Sequence, residues 1–116
     1  MTDEEILAAV FSEEFTRSLE IGGVPVVLRT LTTKENQEVL GAGQGTLDPL
    51  LKADLQNAET VARALVSING MDPPETIEER VALVKGWKGV VVQMLGEAYI
   101  QLFNTERTAL AALPKS

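Results

Sequence analysis

One stretch of this chain alternates as only a half-buried strand does. Phe15-Thr16-Arg17-Ser18-Leu19-Glu20-Ile21 sets Phe15, Leu19 and Ile21 on one side and Thr16, Ser18 and Glu20 on the other, a period of two. Gly22-Gly23 follows, the pair that supplies the positive φ values of a two-residue type I′ or II′ turn. Val24-Pro25-Val26-Val27-Leu28-Arg29-Thr30-Leu31 then returns as a second strand. Pro25 has no N–H for a ladder, so it belongs on the outward side of an edge or at the strand's start. Four other blocks repeat at helical spacing. The expected fold is therefore α+β and mostly helical, with one N-terminal β-hairpin packed on three or four helices.

Capping residues mark where the helices begin. Thr2 with Glu5, Thr32 with Glu35 and Thr76 with Glu79 each fit a capping box, in which the threonine oxygen and the acid three residues on satisfy each other's free amides. The first opens a short helix with Ile6, Leu7 and Val10 on one face; a single stripe that short either docks or frays. The second opens a short helix through Val39 and Leu40 that ends at Gly41-Ala42-Gly43-Gln44-Gly45. A long helical pattern begins near Thr46 or Asp48. Its stripe runs Leu47, Leu51, Leu55 (or Asp54), Ala58, Ala62 and Leu65, widened by Leu50, Val61 and Ile68, to a stop at Asn69-Gly70. Met71-Asp72-Pro73-Pro74 is a rigid linker. Thr76 opens Ile77–Lys85, Gly86-Trp87-Lys88-Gly89 breaks the pattern, and a last helix runs from Val90 to about Leu113, stopped by Pro114. We read residues 1–116 as one domain: an N-terminal helical segment (1–13), the hairpin (14–31) and a helical part (32–113).

Composition narrows the function. The chain has 116 residues, no cysteine and no histidine, and 10 basic against 17 acidic side chains, a net charge of −7. That length suits a single core that needs neither disulfides nor a metal. Without cysteine or histidine there is no thiolate nucleophile, zinc ribbon or Ser-His-Asp triad. The acidity and the 4% aromatic content argue against nucleic acid or an anionic membrane as partner, since phosphates are bound by clustered Lys and Arg. The acidic N-terminus is unlike a secretory signal, and the longest uncharged apolar stretch, Gly89 to Gly96, falls well short of the ~20 residues of a membrane span. A soluble interaction domain, not an enzyme, with no cofactor and no metal, is the expectation.

Few residues invite a chemical role. The glycines at 41–45 follow a helix, whereas a phosphate loop precedes one, so they read as a flexible connector. The acid pairs Asp3/Glu4/Glu5, Glu13/Glu14, Asp72/Glu75 and Glu78/Glu79 complement helix dipoles, and no window has the oxygen spacing of a Ca²⁺ loop. Arg29 is either an outward snorkelling side chain or half of a salt bridge to Glu35 or Glu38. Trp87 plugs the core between the last two helices or anchors an interface.

The run from Phe15 to Glu35, a short hairpin whose second strand ends Leu28-Arg29-Thr30-Leu31-Thr32-Thr33-Lys34-Glu35 and leads straight into a helix, resembles the tail assembly chaperones of tailed bacteriophages. The later half is similar to them too. It has a helix ending Ala64-Leu65-Val66-Ser67-Ile68-Asn69-Gly70, an Asp-Pro linker, a helix headed Glu78-Glu79-Arg80, and a last helix with Tyr99-Ile100-Gln101-Leu102. The resemblance implies a protein of the host cytoplasm that keeps the tape measure protein soluble and helps recruit tail-tube subunits, with no catalytic residues. The alternatives are a minor structural protein of the virion, in tail, baseplate or head–tail connector, and a small-ligand or enzyme domain.

A keeper of a long helical partner needs apolar helix surface with an acidic rim. The last helix is apolar over most of its circumference, which also points to a homo-oligomer. Its stripe of Val91, Leu95, Ala98 and Leu102 either forms core or receives a partner. The expected partner-binding residues are Val91, Leu95, Ile100, Phe103 and Trp87, with the hairpin edge near Pro25 as the fallback.

Overall fold

A computed structural model describes residues 2–12 and 15–113. In chain order these form α1 (Asp3–Ser12), β1 (Thr16–Ile21), β2 (Val24–Arg29), α2 (Thr33–Gly41), α3 (Pro49–Ala64), β3 (Leu65–Ile68), α4 (Ile77–Lys85) and α5 (Gly89–Ala111). The described residues are 60% helical with a three-stranded antiparallel sheet, an α+β fold whose N-terminal hairpin packs on helices. Glu13, Glu14 and Pro114, and the side chain of Val10, lie outside the described residues.

The hairpin forms as its pattern dictates. Ile21 pairs with Val24 across Gly22 and Gly23, whose φ values of 58° and 82° are those of a type I′ turn. Phe15 is buried, and Leu19 and Ile21 pack against the core. Arg17 shares their side of the strand and donates to Gln101 Oε1 of α5 at 2.7 Å.

A third strand replaces the expected end of the long helix. α3 stops at Ala64, and Leu65–Ile68 turns to pair with β2, Val26 opposite Ile68 and Leu28 opposite Leu65, with the register shifting between. Val66 is the extra residue of that bulge, and it explains why the segment reads as helix. Residues three apart share a face in a helix, and in a bulged strand they do so as well, so Leu65 and Ile68 both turn inward. Asn69 and Gly70, at φ 51° and 76°, make a second tight turn that returns Met71 onto Ile68. The sheet order is β1-β2-β3, so β2, and Pro25 with it, is central. Pro25 is tolerated as the second residue of its strand, where its carbonyl still accepts from the Asn69 N–H at 2.7 Å.

The caps fall where expected. The Thr32–Glu35 box is complete, Asp48 caps α3 with Pro49 behind it, and the hydroxyls of Thr2 and Thr76 accept from Glu5 and Glu79. The start of α3 departs from the expected stripe. Leu47 precedes the helix, Leu50 and Leu51 sit in its first turn, and all three are exposed. From Ala58 onward the stripe is core. Val61, Leu65, Val84 and Leu95 are fully buried with Leu28 of the sheet. Arg63, buried on α3, pairs with Glu59 at 2.6 Å and reaches Glu38 of α2 at 3.4 Å, which fastens α2 to α3.

α5 runs beneath the hairpin, antiparallel to β1: Ile21 lies by Lys88 and Val91, Arg17 by Gln101, and Thr30, beyond the end of β2, by Glu106. On its other flank α5 meets α3 so closely that a Cβ at Gly96 would run into the Asn57 amide. Asn57 Nδ2 donates to the Val92 carbonyl at 3.2 Å there, closing the approach.

Candidate functional site

The five expected partner-binding residues do not make one surface. Leu95 is 1% exposed and lies under the sheet with Ala98 and Leu102, so it is core and unavailable to a partner; the stripe through it is how α5 attaches to β2. Val91 and Trp87 are half-buried against that core and line an apolar notch of about 230 Å³ with Ile21, Val24, Val26 and Ile68. Trp87, in the turn between α4 and α5, thus plugs the core.

Ile100 and Phe103 remain outside, 58% and 48% exposed. Gly96, Ile100 and Phe103 recur at i, i+4 and i+7, one line along the helix. Its first residue seals against α3; farther along, the line clears α3 and faces the start of α2. There Ile100 and Phe103 line a groove of about 350 Å³ with Leu31, Thr32, Asn36 and Tyr99. Ile100 also edges a second groove, between α3 and α5, that carries Asp54 and Glu97. The result is an apolar ledge with two carboxylates at its side.

The groove's far wall is held rigidly. Arg29 donates from both terminal nitrogens to Glu35, at 2.9 and 2.7 Å, so of the alternatives for Arg29 the ion pair to Glu35 is the one formed. Glu35 also accepts from the Thr32 N–H at 3.0 Å. The Arg29 guanidinium beside it, helped by Thr32 and opposed by burial, holds its carboxyl down to about 2. Tyr99 accepts from the Leu31 N–H at 3.3 Å, and burial pushes its phenol up. Glu106 accepts from the Thr30 hydroxyl at 3.1 Å, and burial pushes its carboxyl up. Both oxygens of Glu35 are already occupied by donors.

Asn36 was not singled out in the sequence, and Leu31 and Tyr99 were named there without a binding role. Each is unremarkable in its own element, and only the crossing of α5 over the β2–α2 junction brings them together. Arg29 and Glu35 carried the signal of that junction. The acid pairs at Asp3/Glu4/Glu5, Asp72/Glu75 and Glu78/Glu79 are exposed, and among the described residues no three acids gather as a metal site. Among the described residues no helix is long and apolar enough to cross a membrane. Comparison with protein-family models, curated proteins and solved structures finds no match to this chain.

Proposed function

We propose that this protein is a tail assembly chaperone of a tailed bacteriophage, working in the host cytoplasm to hold the tape measure protein and assist tail-tube assembly. The observation that carries the reading is the Ile100–Phe103 ledge: two large apolar side chains held out of the core, facing a groove between α5 and α2, with Asp54 and Glu97 alongside. A groove between two helices accepts the apolar face of a third, and a tape measure is a long helical chain with such faces. The net charge of −7 supports the same role, because an acidic carrier keeps an apolar client dispersed.

The resemblance noted in the sequence rests on residues that build one local unit here. Leu28 is core, Arg29 and Glu35 clamp the strand to the helix, and Thr32 caps it. Those residues therefore speak for the fold, and the ledge speaks for the binding.

The test is affinity capture of the tagged protein from cells assembling phage, with mass spectrometry of the bound proteins and of purified particles. Co-purification with the tape measure protein and absence from mature particles is the expected result. Stoichiometric presence in particles identifies a structural component of the virion instead, and capture of no tail protein removes the phage reading.

A further inference from the structure

The two edges of the sheet are treated differently. At β3 the edge is closed: the Arg80 guanidinium donates to the Leu65 carbonyl at 3.2 Å, Val66 is bulged, and Ile68 exchanges two bonds with Met71, both at 2.9 Å. These are the ways a protein blunts a strand edge. β1 has neither bulge nor proline and is paired along its six residues on one side only. The Thr30 N–H donates to the Phe15 carbonyl, which fixes the phase of the ladder: Phe15, Arg17, Leu19 and Ile21 bond to β2, and Thr16, Ser18 and Glu20 aim their N–H and C=O groups away from it. Among the described residues nothing bonds to those outward groups.

We propose that β1 is the pairing edge for a second copy of this chain, joined antiparallel about a two-fold axis at Ser18. With β3 closed, β1 of one copy has no edge to meet but β1 of the next, and an isologous contact of that kind closes at a dimer. Ser18 then faces Ser18 of the second copy and Thr16 faces its Glu20, each pair exchanging two backbone bonds. Charge selects the same direction. β1 carries Arg17 near its start and Glu20 near its end, on opposite faces of the strand. Antiparallel pairing sets Arg17 opposite Leu19 and Glu20 opposite Thr16, whereas parallel pairing sets Arg17 beside Arg17 and Glu20 beside Glu20. Beneath the edge, α5 turns exposed Val90 and Met94 outward on the line of Gln101, the residue that Arg17 reaches, so the second copy also covers apolar surface. The joined sheet has six strands.

The absence of cysteine from the sequence makes the register directly testable. Ser18→Cys, the only thiol in its chain, is expected to oxidise to a disulfide-linked dimer, because its counterpart lies across the axis within disulfide reach. Thr16→Cys and Glu20→Cys each sit about 13 Å from their own counterpart, four strand residues away. Each is expected to form no disulfide alone and to cross-link when the two are mixed. In sedimentation equilibrium at about 100 µM, a concentration suited to a small interface, the wild type should be dimeric. Ser18→Pro deletes an outward N–H that β2 does not use and should raise the dimer dissociation constant at least about tenfold with its circular dichroism unchanged. Ser18→Lys, which sets two like charges on the axis, should do the same and serves if the proline variant misfolds. A wild type that stays monomeric, a folded Ser18 variant that dimerises as the wild type does, or equal cross-linking of Thr16→Cys and Ser18→Cys each overturns the proposal. None of these readouts involves a tail protein, so its failure leaves the chaperone reading untouched.

Discussion

Gly22 and Gly23 show what one residue decides. Both sit at positive φ and neither Cβ position meets a neighbour within 4 Å, so any penalty for a side chain there is conformational. Replacing both by valine is expected to cost about 1–2 kcal/mol per residue, measured by urea unfolding, while Asn at either position is tolerated better because it visits the same region. Glu35 decides something else. Its carboxyl is lowered from an ordinary 4.5 to about 2, so it stabilises the fold at neutral pH and loses that contribution as pH falls from about 5 towards 2. Glu35→Gln should cost about 2 kcal/mol at pH 7 and little at about pH 2. Glu106 has the opposite sign. With its carboxyl raised by burial, its contribution improves as pH falls, and Glu106→Gln, which keeps an acceptor for Thr30, should be neutral or stabilising at pH 7 and without effect in acid. Unfolding curves at three pH values separate the two.

Between elements, the α3–α5 contact turns on Gly96. Gly96→Ala forces the Asn57 amide aside and should cost about 2 kcal/mol, as overpacking of a closed contact does. Asn57→Ala removes the obstacle together with the bond to Val92, so the double variant should be hardly less stable than Asn57→Ala alone, a non-additivity that denaturant unfolding reads directly. The same scale shows how much of the molecule its sequence discloses. The hairpin and the starts of α1, α2 and α4 are legible because turn and cap chemistry is local: Gly22-Gly23, Thr2, Thr32 and Thr76 act within four residues of themselves. β3 is not, because Leu65 and Ile68 satisfy helix and bulged strand alike, and what selects the strand is the free side of β2, some forty residues earlier in the chain. The exposure of Leu47, Leu50 and Leu51 escapes the pattern for a related reason. Spacing tells which residues share a face and says nothing of whether another element reaches that face. Of the candidate site, Ile100 and Phe103 were legible as apolar excess on α5, and the groove they line was not, since Leu31, Asn36 and Tyr99 come from three segments.

At the scale of the whole molecule, α5 has three separate apolar surfaces, and their separation makes the proposed function testable by substitution. Leu95 faces the sheet. Met94 faces the β1 edge. Phe103, nine residues on from Met94 and so about half a turn round from it, faces α2, with Ile100 beside it. A partner held between α5 and α2 and a second copy joined at β1 therefore do not compete. Ile100→Asp and Phe103→Asp place a charge on surface that water already reaches, so the helical circular dichroism and the melting curve should stay close to wild type. Capture of the tape measure protein should be lost, because an unpaired carboxylate cannot be buried under an apolar helix face without a cost of several kcal/mol. Leu95→Asp is the control for core: that charge has no route to solvent and should unfold the chain. Wild-type capture should persist in high salt, where a contact made by charge alone weakens. Capture that survives in both ledge variants moves the partner's site off the α5–α2 groove. Unfolding of both would show that Ile100 and Phe103 support the fold, whatever water reaches them.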